Sequence, residues 1–282
     1  MSSTSGATSR EDSEKVSDVT DALKPPVVKK PYAGGHIYQD ANGRQVSSVT
    51  TILSQGVPKP ALINWAGEIT ATYAVDNWQK LARLGHASRY KALRDARFTK
   101  SKAATLRGSQ LHQAAEAIVQ GKPYSIPKDS IPQAEAYARF RDEWHASPLA
   151  TERITASLEH GYAGTFDLLA MLGDDPWLLD LKTNASGIYP ETAIQLSAYR
   201  RADWAETPPI LERLQNPELR TGAVWLRPDG GYELLPVETR EVEFLVFLAA
   251  KQIAEWQRGS EHLIGSALVP PDTVREVVME AS

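Results

Sequence analysis

Three stretches decide how this chain reads: Gly164-Thr165-Phe166-Asp167, Asp180-Leu181-Lys182-Thr183 and Gln195-Leu196-Ser197-Ala198-Tyr199. Apolar blocks at 166–172 and 176–181 read as two short strands joined by a Gly173-Asp174-Asp175 turn, a hairpin signal. Side chains alternate faces along a strand, so Asp180 and Lys182 point the same way while Leu181 points into the core. Asp167 sits at the same end of the hairpin as Asp180. Two acids and a lysine therefore converge on one sheet edge. Paired carboxylates suit a hard divalent cation, and a lysine beside them can steady an attacking water or a phosphate charge.

Working outward, Arg107-Gly108-Ser109-Gln110-Leu111-His112 precedes Glu116, and Val49-Thr50-Thr51-Ile52-Leu53 lies near the start. His112 and Glu116 are four residues apart on one helix face, as are Gln195 and Tyr199 on the helix that follows the Asp-Leu-Lys strand. A glutamine donates and accepts, and a tyrosine offers a ring with a hydroxyl. That pair suits holding a nucleotide, and equally suits packing beneath the site. Asp167 stands between Phe166 and Leu168, where an unpartnered charge would be costly.

Taken in order, these motifs resemble the PD-(D/E)XK nuclease superfamily, in its RecB-like branch, over about residues 36–260. That branch includes the mitochondrial genome maintenance exonuclease and phage exonucleases. The resemblance implies an α/β (α+β) fold: a restriction-endonuclease-like core with a mixed central sheet flanked by helices, and an N-terminal helical region. It implies a metal held by His112, Asp167, Asp180 and the main-chain carbonyl of Leu181, with Lys182 as the catalytic lysine and Glu116 behind the ligands. Arg107, Gln195 and Tyr199 would meet DNA. Mg2+ or Mn2+ is the cofactor implied, because a histidine nitrogen among oxygens admits both. The activity implied is a metal-dependent deoxyribonuclease, an exonuclease on single-stranded or end-containing DNA in recombination, repair or phage DNA processing. A structure-specific endonuclease of the same fold and a catalytically silent DNA-binding module are the alternatives. Glycoside hydrolysis by the paired acids is disfavoured by the lysine two residues after Asp180.

Composition narrows the chemistry. Among 282 residues there is no cysteine, which excludes disulfides, zinc–thiolate sites and the cysteine-ligated iron–sulfur cluster that several RecB-like nucleases carry. No apolar run approaches the roughly 20 residues of a membrane helix. The N-terminus lacks a signal-peptide core and carries Glu11, Asp12 and Glu14, unlike an acid-poor transit peptide. The expectation is a cytoplasmic protein, a phage product acting in its host's cytoplasm included.

A net charge of −4 hides a strong asymmetry. Between Asp76 and Arg107, nine lysines and arginines face two aspartates. Such a cluster is the footprint of a polyanion partner, and Lys91, Arg94 and Arg97 at its centre are candidate DNA contacts. Trp78, Tyr90 and Phe98 are interleaved there; they could stack on bases, with helix-core positions slightly favoured.

The organisation expected is a disordered arm over 1–31, a nuclease domain over 32–262 and a tail over 263–282. Within the domain, 61–120 is helical and DNA-guiding, and 150–238 is the catalytic sheet. An Asn42-Gly43 turn and Asp229-Gly230-Gly231 each signal a hairpin. Helices are expected over 131–146, 190–204 and 241–258, with strands over 154–159, 223–227 and 232–236. The proline-rich stretch 207–219 reads as an irregular insertion.

Overall fold

The apolar blocks around the acids do form strands. In the computed structural model, which describes residues 25–33 and 35–268, β1 (Val27–Tyr32), β2 (Gly35–Asp40), β3 (Gln45–Ser48), β4 (Ala146–Ser157), β5 (Tyr162–Leu172) and β6 (Asp175–Lys182) are followed by β7 (Trp204–Ala205), β8 (Arg220–Leu226) and β9 (Tyr232–Pro236). Gly173 turns β5 into β6 at φ +59°, a value a glycine adopts without strain. The nine strands make one mixed sheet in the order β1-β2-β3-β5-β6-β8-β9, with β4 on the other edge of β5 and β7 paired to β4. β3 runs parallel to β5 and β6 parallel to β8, while the remaining pairs are antiparallel. Both expected hairpins are present, as β2–β3 and β8–β9.

Helices cover both faces of the sheet. They are α1 (Val49–Gly56), α2 (Pro60–Asp76), α3 (Trp78–Ala82), α4 (His86–Val119), α5 (Ile131–Glu143), α6 (Glu191–Arg200), α7 (Pro208–Leu214) and α8 (Glu241–Gly259). One core joins Val49 and Ile52 of α1, Leu196 and Tyr199 of α6 and Phe247 of α8 to Phe166, Leu169 and Leu178 of the sheet. The other joins Leu111 and Ala115 of α4 and Tyr137 and Phe140 of α5 to Leu168, Ala170, Leu179 and Val224. Burial of these side chains contributes about 1.5–3 kcal/mol each and fixes α4 and α6 across the sheet from one another. The architecture is the mixed sheet flanked by helices that the sequence predicts.

Several boundaries differ, each for a tertiary reason. Residues 27–31, expected within a disordered arm, belong to β1: Val27 is buried opposite Asp40 and completes a small core with Tyr38 and Ala163. Residues 1–24 of that arm lie outside the described residues, as do residues 269–282 of the expected tail. The helix expected over 131–146 stops at Glu143; His145 takes φ +47° and swings the chain into β4 at once. Ser147 and Pro148 are therefore strand residues, the proline sitting where the β4 register shifts before Ala150. Trp204 is no helix residue, because Trp204-Ala205 pairs with β4. The stretch 207–219 contains α7, opened by two prolines in its first turn, where the missing N–H groups cost nothing.

α4 is 34 residues long, about 50 Å at 1.5 Å per residue, and only its last third lies on the sheet. Its first two thirds pack against α2 and bury Ala96 alone. Tyr90 and Phe98 on it are 61 and 54 % exposed, and Trp78 at the start of α3 is 68 % exposed, so the slight preference for core positions is corrected.

Candidate metal centre

The site occupies a split in the sheet. On one edge of β5, β3 pairs as far as Ala163 and β6 begins at Leu168, leaving residues 164–167 free of either ladder. Here Gly164 has a steric reason. A Cβ on it would lie 2.5 Å from Tyr199 Cε1 and 3.0 Å from Val49 Cγ2, so only glycine lets α1 and α6 close over β5. Three residues later, the Asp167 carboxylate takes the place of a ladder bond: its Oδ2 accepts from the Leu181 N–H at 2.7 Å.

On the opposite edge, β4 delivers Glu152. Its neighbours Thr151 and Arg153 pair with Leu168 and Phe166, which sets Glu152 level with Asp167. Glu152 has φ +50°, a left-handed conformation that costs a non-glycine residue about 1–3 kcal/mol and persists only where its surroundings enforce it. The strand alternation breaks at this level, since Phe166 enters one core and Leu168, two residues on, the other.

α4 brings His112 to the same point. Its Nδ1 lies 3.1 Å from Glu152 Oε1 and 3.4 Å from Asp167 Oδ1, and its Nε2 lies 3.1 Å from the Leu181 carbonyl oxygen. Both ring nitrogens thus face acceptors, an arrangement that favours the doubly protonated ring. One ligand atom from each of His112, Glu152 and Asp167 falls within 4.8 Å of the others, the spacing of a site that could hold a metal ion.

The clustered groups also set one another's charge. Burial would lower the His112 pKa, but the Asp167 and Glu152 carboxylates outweigh it and hold the ring well above its ordinary value. Burial alone would raise Asp167; the His112 charge and hydrogen bond, Lys182 and the Leu181 amide together bring it below the usual carboxylate range. Asp180 behaves differently. Burial, helped by the Asp167 charge and opposed by Lys182, pushes it up to about 6.

Asp180 is 1 % exposed, and among the described residues neither carboxylate oxygen finds a well-formed hydrogen-bond donor. Its company is ionic: Lys182 Nζ is 2.7 Å from Oδ2, a close contact that does not make a well-formed hydrogen bond. The ligand cluster itself is His112, Glu152 and Asp167; Asp180 stands outside that group and is coupled to it through the Asp167 and His112 charges. The donor set contains no sulfur, and the chain has no cysteine.

Lys182 is itself positioned. It donates to Gln195 Oε1 at 3.1 Å, and Gln195 Nε2 donates to Tyr199 Oη at 3.3 Å. Gln195 and Tyr199 are both buried, so the i, i+4 pair reaches the lysine from beneath. Attraction to Asp180 and Asp167 outweighs the effect of burial and keeps the Lys182 ammonium charged.

Of the residues singled out from sequence, the structure brings together His112, Asp167, Asp180, Leu181, Lys182, Gln195 and Tyr199. Glu116 is not among them. It accepts from Gln120 Nε2 along α4, and the acid that meets His112 is Glu152. Glu152 was missed because it lies 40 residues from His112 in the chain, and its aim depends on a backbone conformation no local pattern signals. Arg107 is exposed on α4 five residues before His112. Farther along α4, Lys91 and Arg94 share Asp95, each at 2.9 Å, and the Arg97 guanidinium lies 4.5 Å from the Phe98 ring centre.

No protein-family description matches the chain, and no curated protein matches it in sequence. It is similar in structure to LHK-Exo, solved in complex with dAMP. The match covers 77 % of this chain and 91 % of that one, at 15 % identity and a TM-score of 0.34. The crystal structure of SSO0001 matches over 74 % of this chain and 75 % of that one, at 14 % identity and a TM-score of 0.31. The mixed sheet flanked by helices is compatible with a nuclease-like α+β core. Among the described residues, no helix is long and apolar enough to cross a membrane.

Proposed function

We propose that the chain is a divalent-metal-dependent DNA nuclease, an exonuclease acting on single strands or free ends. The observation that carries this reading is the buried, under-partnered Asp180 carboxylate, ion-paired to Lys182 and set beside the His112–Glu152–Asp167 cluster. His112, Glu152, Asp167, Asp180 and the Leu181 carbonyl would hold Mg2+ or Mn2+, which when bound supplies Lewis acidity and a water of lowered pKa. Lys182, fixed by Gln195, presents a permanent positive charge towards a phosphate or its attacking water, where charge builds in the transition state. Tyr199 holds Gln195. Arg107, Lys91, Arg94 and Arg97 guide the strand along α4, with exposed Trp78, Tyr90 and Phe98 offering faces for bases to stack on.

The test is a time course on end-labelled single- and double-stranded DNA with Mg2+, Mn2+ or EDTA. An exonuclease shortens the label stepwise from one end, and an endonuclease of the same chemistry gives internal fragments at once. Retarded but uncut DNA in both metals would identify a silent DNA-binding module and refute the proposal.

A further inference from the structure

A cavity of about 120 Å³ opens beside the acid cluster, with Glu152 and Tyr199 in its wall. Facing them are Lys29 of β1, His36 and Tyr38 of β2, Ser48 and Thr50 at the start of α1, and Thr165 of β5. Every one of these side chains can donate a hydrogen bond. Lys29 Nζ donates to Thr165 Oγ1 at 3.2 Å, and Tyr38 Oη sits 2.6 Å from the same hydroxyl, so three donors are gathered at one point. Burial, aided by Glu152 and Glu206 against the Thr165 hydrogen bond, pushes the Tyr38 phenol up to about 12, so it keeps its proton at neutral pH.

α1 adds its own field. Ser48 Oγ accepts from the Thr51 N–H, while the amides of residues 49 and 50 have no partner inside the helix and carry the positive end of its dipole. The one acidic group in the wall is Glu152, whose Oε1 lies 3.1 Å from His112 Nδ1. About four waters would fill the space, which is room for one tetrahedral anion.

We propose that this cavity binds a phosphate group of the substrate, next along the strand from the bond cleaved at the acid cluster. The proposal rests on the nuclease reading and deepens it. It also divides the Val49-Thr50-Thr51-Ile52-Leu53 segment between two roles, since Val49, Ile52 and Leu53 are core residues and Thr50 faces the anion. Either of two sources supplies the group, a terminal phosphate monoester or an internal diester.

The first experiment uses the metal-free full chain and inorganic phosphate, followed by NMR against chloride at matched ionic strength. Saturable shifts are expected at the Thr50 and Thr51 amides and the His36 ring, and are expected to be lost in Lys29→Ala. No saturable shift, or shifts unchanged in Lys29→Ala, overturns the proposal. The second measures cleavage of oligonucleotides bearing a 5′-phosphate, a 3′-phosphate or neither. Lys29→Ala raises KM roughly tenfold, the scale of one charge-assisted hydrogen bond, and raises KM more than it lowers kcat. A rise confined to one phosphorylated end identifies the monoester, and an equal rise for all three identifies the diester. An unchanged KM overturns the phosphate subsite. If wild type cuts nothing in any metal yet shows the Lys29-dependent shifts, the nuclease reading falls and the anion pocket stands.

Discussion

Replacing Asp180 by asparagine separates a functional charge from a structural one. Burial first, then the Asp167 charge, raises Asp180 from 3.8 to about 6 in spite of Lys182. At roughly 1.4 kcal/mol per tenfold change in proton affinity, the ionised carboxylate costs the metal-free fold about 3 kcal/mol. The folded pKa lies above the unfolded one, so this penalty is fully present above about pH 6 and is relieved as pH falls towards 3.8. Asparagine removes the charge at nearly constant volume, although its buried amide loses about 1–3 kcal/mol if it finds no partner. Urea unfolding in EDTA at about pH 7.5 should therefore show Asp180→Asn at least as stable as wild type, by up to about 2 kcal/mol. Its advantage should shrink below about pH 6. Added Mn2+ should stabilise wild type and not the variant, and cleavage should collapse. A loss of about 3 kcal/mol or more in EDTA, the range for breaking a needed buried ion pair, would refute this reasoning and make Asp180 a structural partner of Lys182.

Adding Mn2+ to weakly buffered protein should release about one proton, since His112 must give up its imidazolium proton to become a ligand; no release would remove His112 from the ligand set. Because the folded His112 pKa is raised, its contribution to the metal-free fold is complete below about pH 6.5 and lost as pH rises through the folded value, which pH-dependent melting in EDTA will register. Glu152→Gln keeps the backbone conformation and should weaken Mn2+ binding by about tenfold or more in titration calorimetry; an unchanged affinity would leave Glu152 a mere hydrogen-bond partner of His112. Lys182→Ala should abolish turnover in single-turnover assays while DNA affinity in EDTA stays close to wild type, and an undiminished cleavage rate would end its assigned role. Reversing Lys91, Arg94 and Arg97 to Glu should weaken DNA binding and flatten the slope of log affinity against log salt by up to about 2, at roughly 0.7 for each phosphate no longer neutralised. An unaltered slope would make that part of α4 a solvated face.

The hairpin was legible in the sequence because strand alternation is local: the apolar block after Gly173 puts Asp180 and Lys182 on one face, whereas the alternation of β5 breaks at Asp167 and only the fold decided its aim. The helices over 61–120, the Asn42-Gly43 and Gly230-Gly231 turns, and the pairing of Gln195 with Tyr199 were readable for the same reason, each being set by neighbours within a few residues. Tertiary structure alone decided what those side chains meet. His112 finds Glu152 rather than Glu116, because β4 runs beside β5 and bends at one left-handed residue, while Glu116 turns back along its own helix. Residues 27–31 look polar and loose in isolation, yet Val27 gains a partner once β2 folds back beside it, and Lys29 is carried to Thr165, 136 positions away. Periodicity records which way a side chain points within its own element. It holds no information about what another element, folded in from elsewhere, puts in front of it.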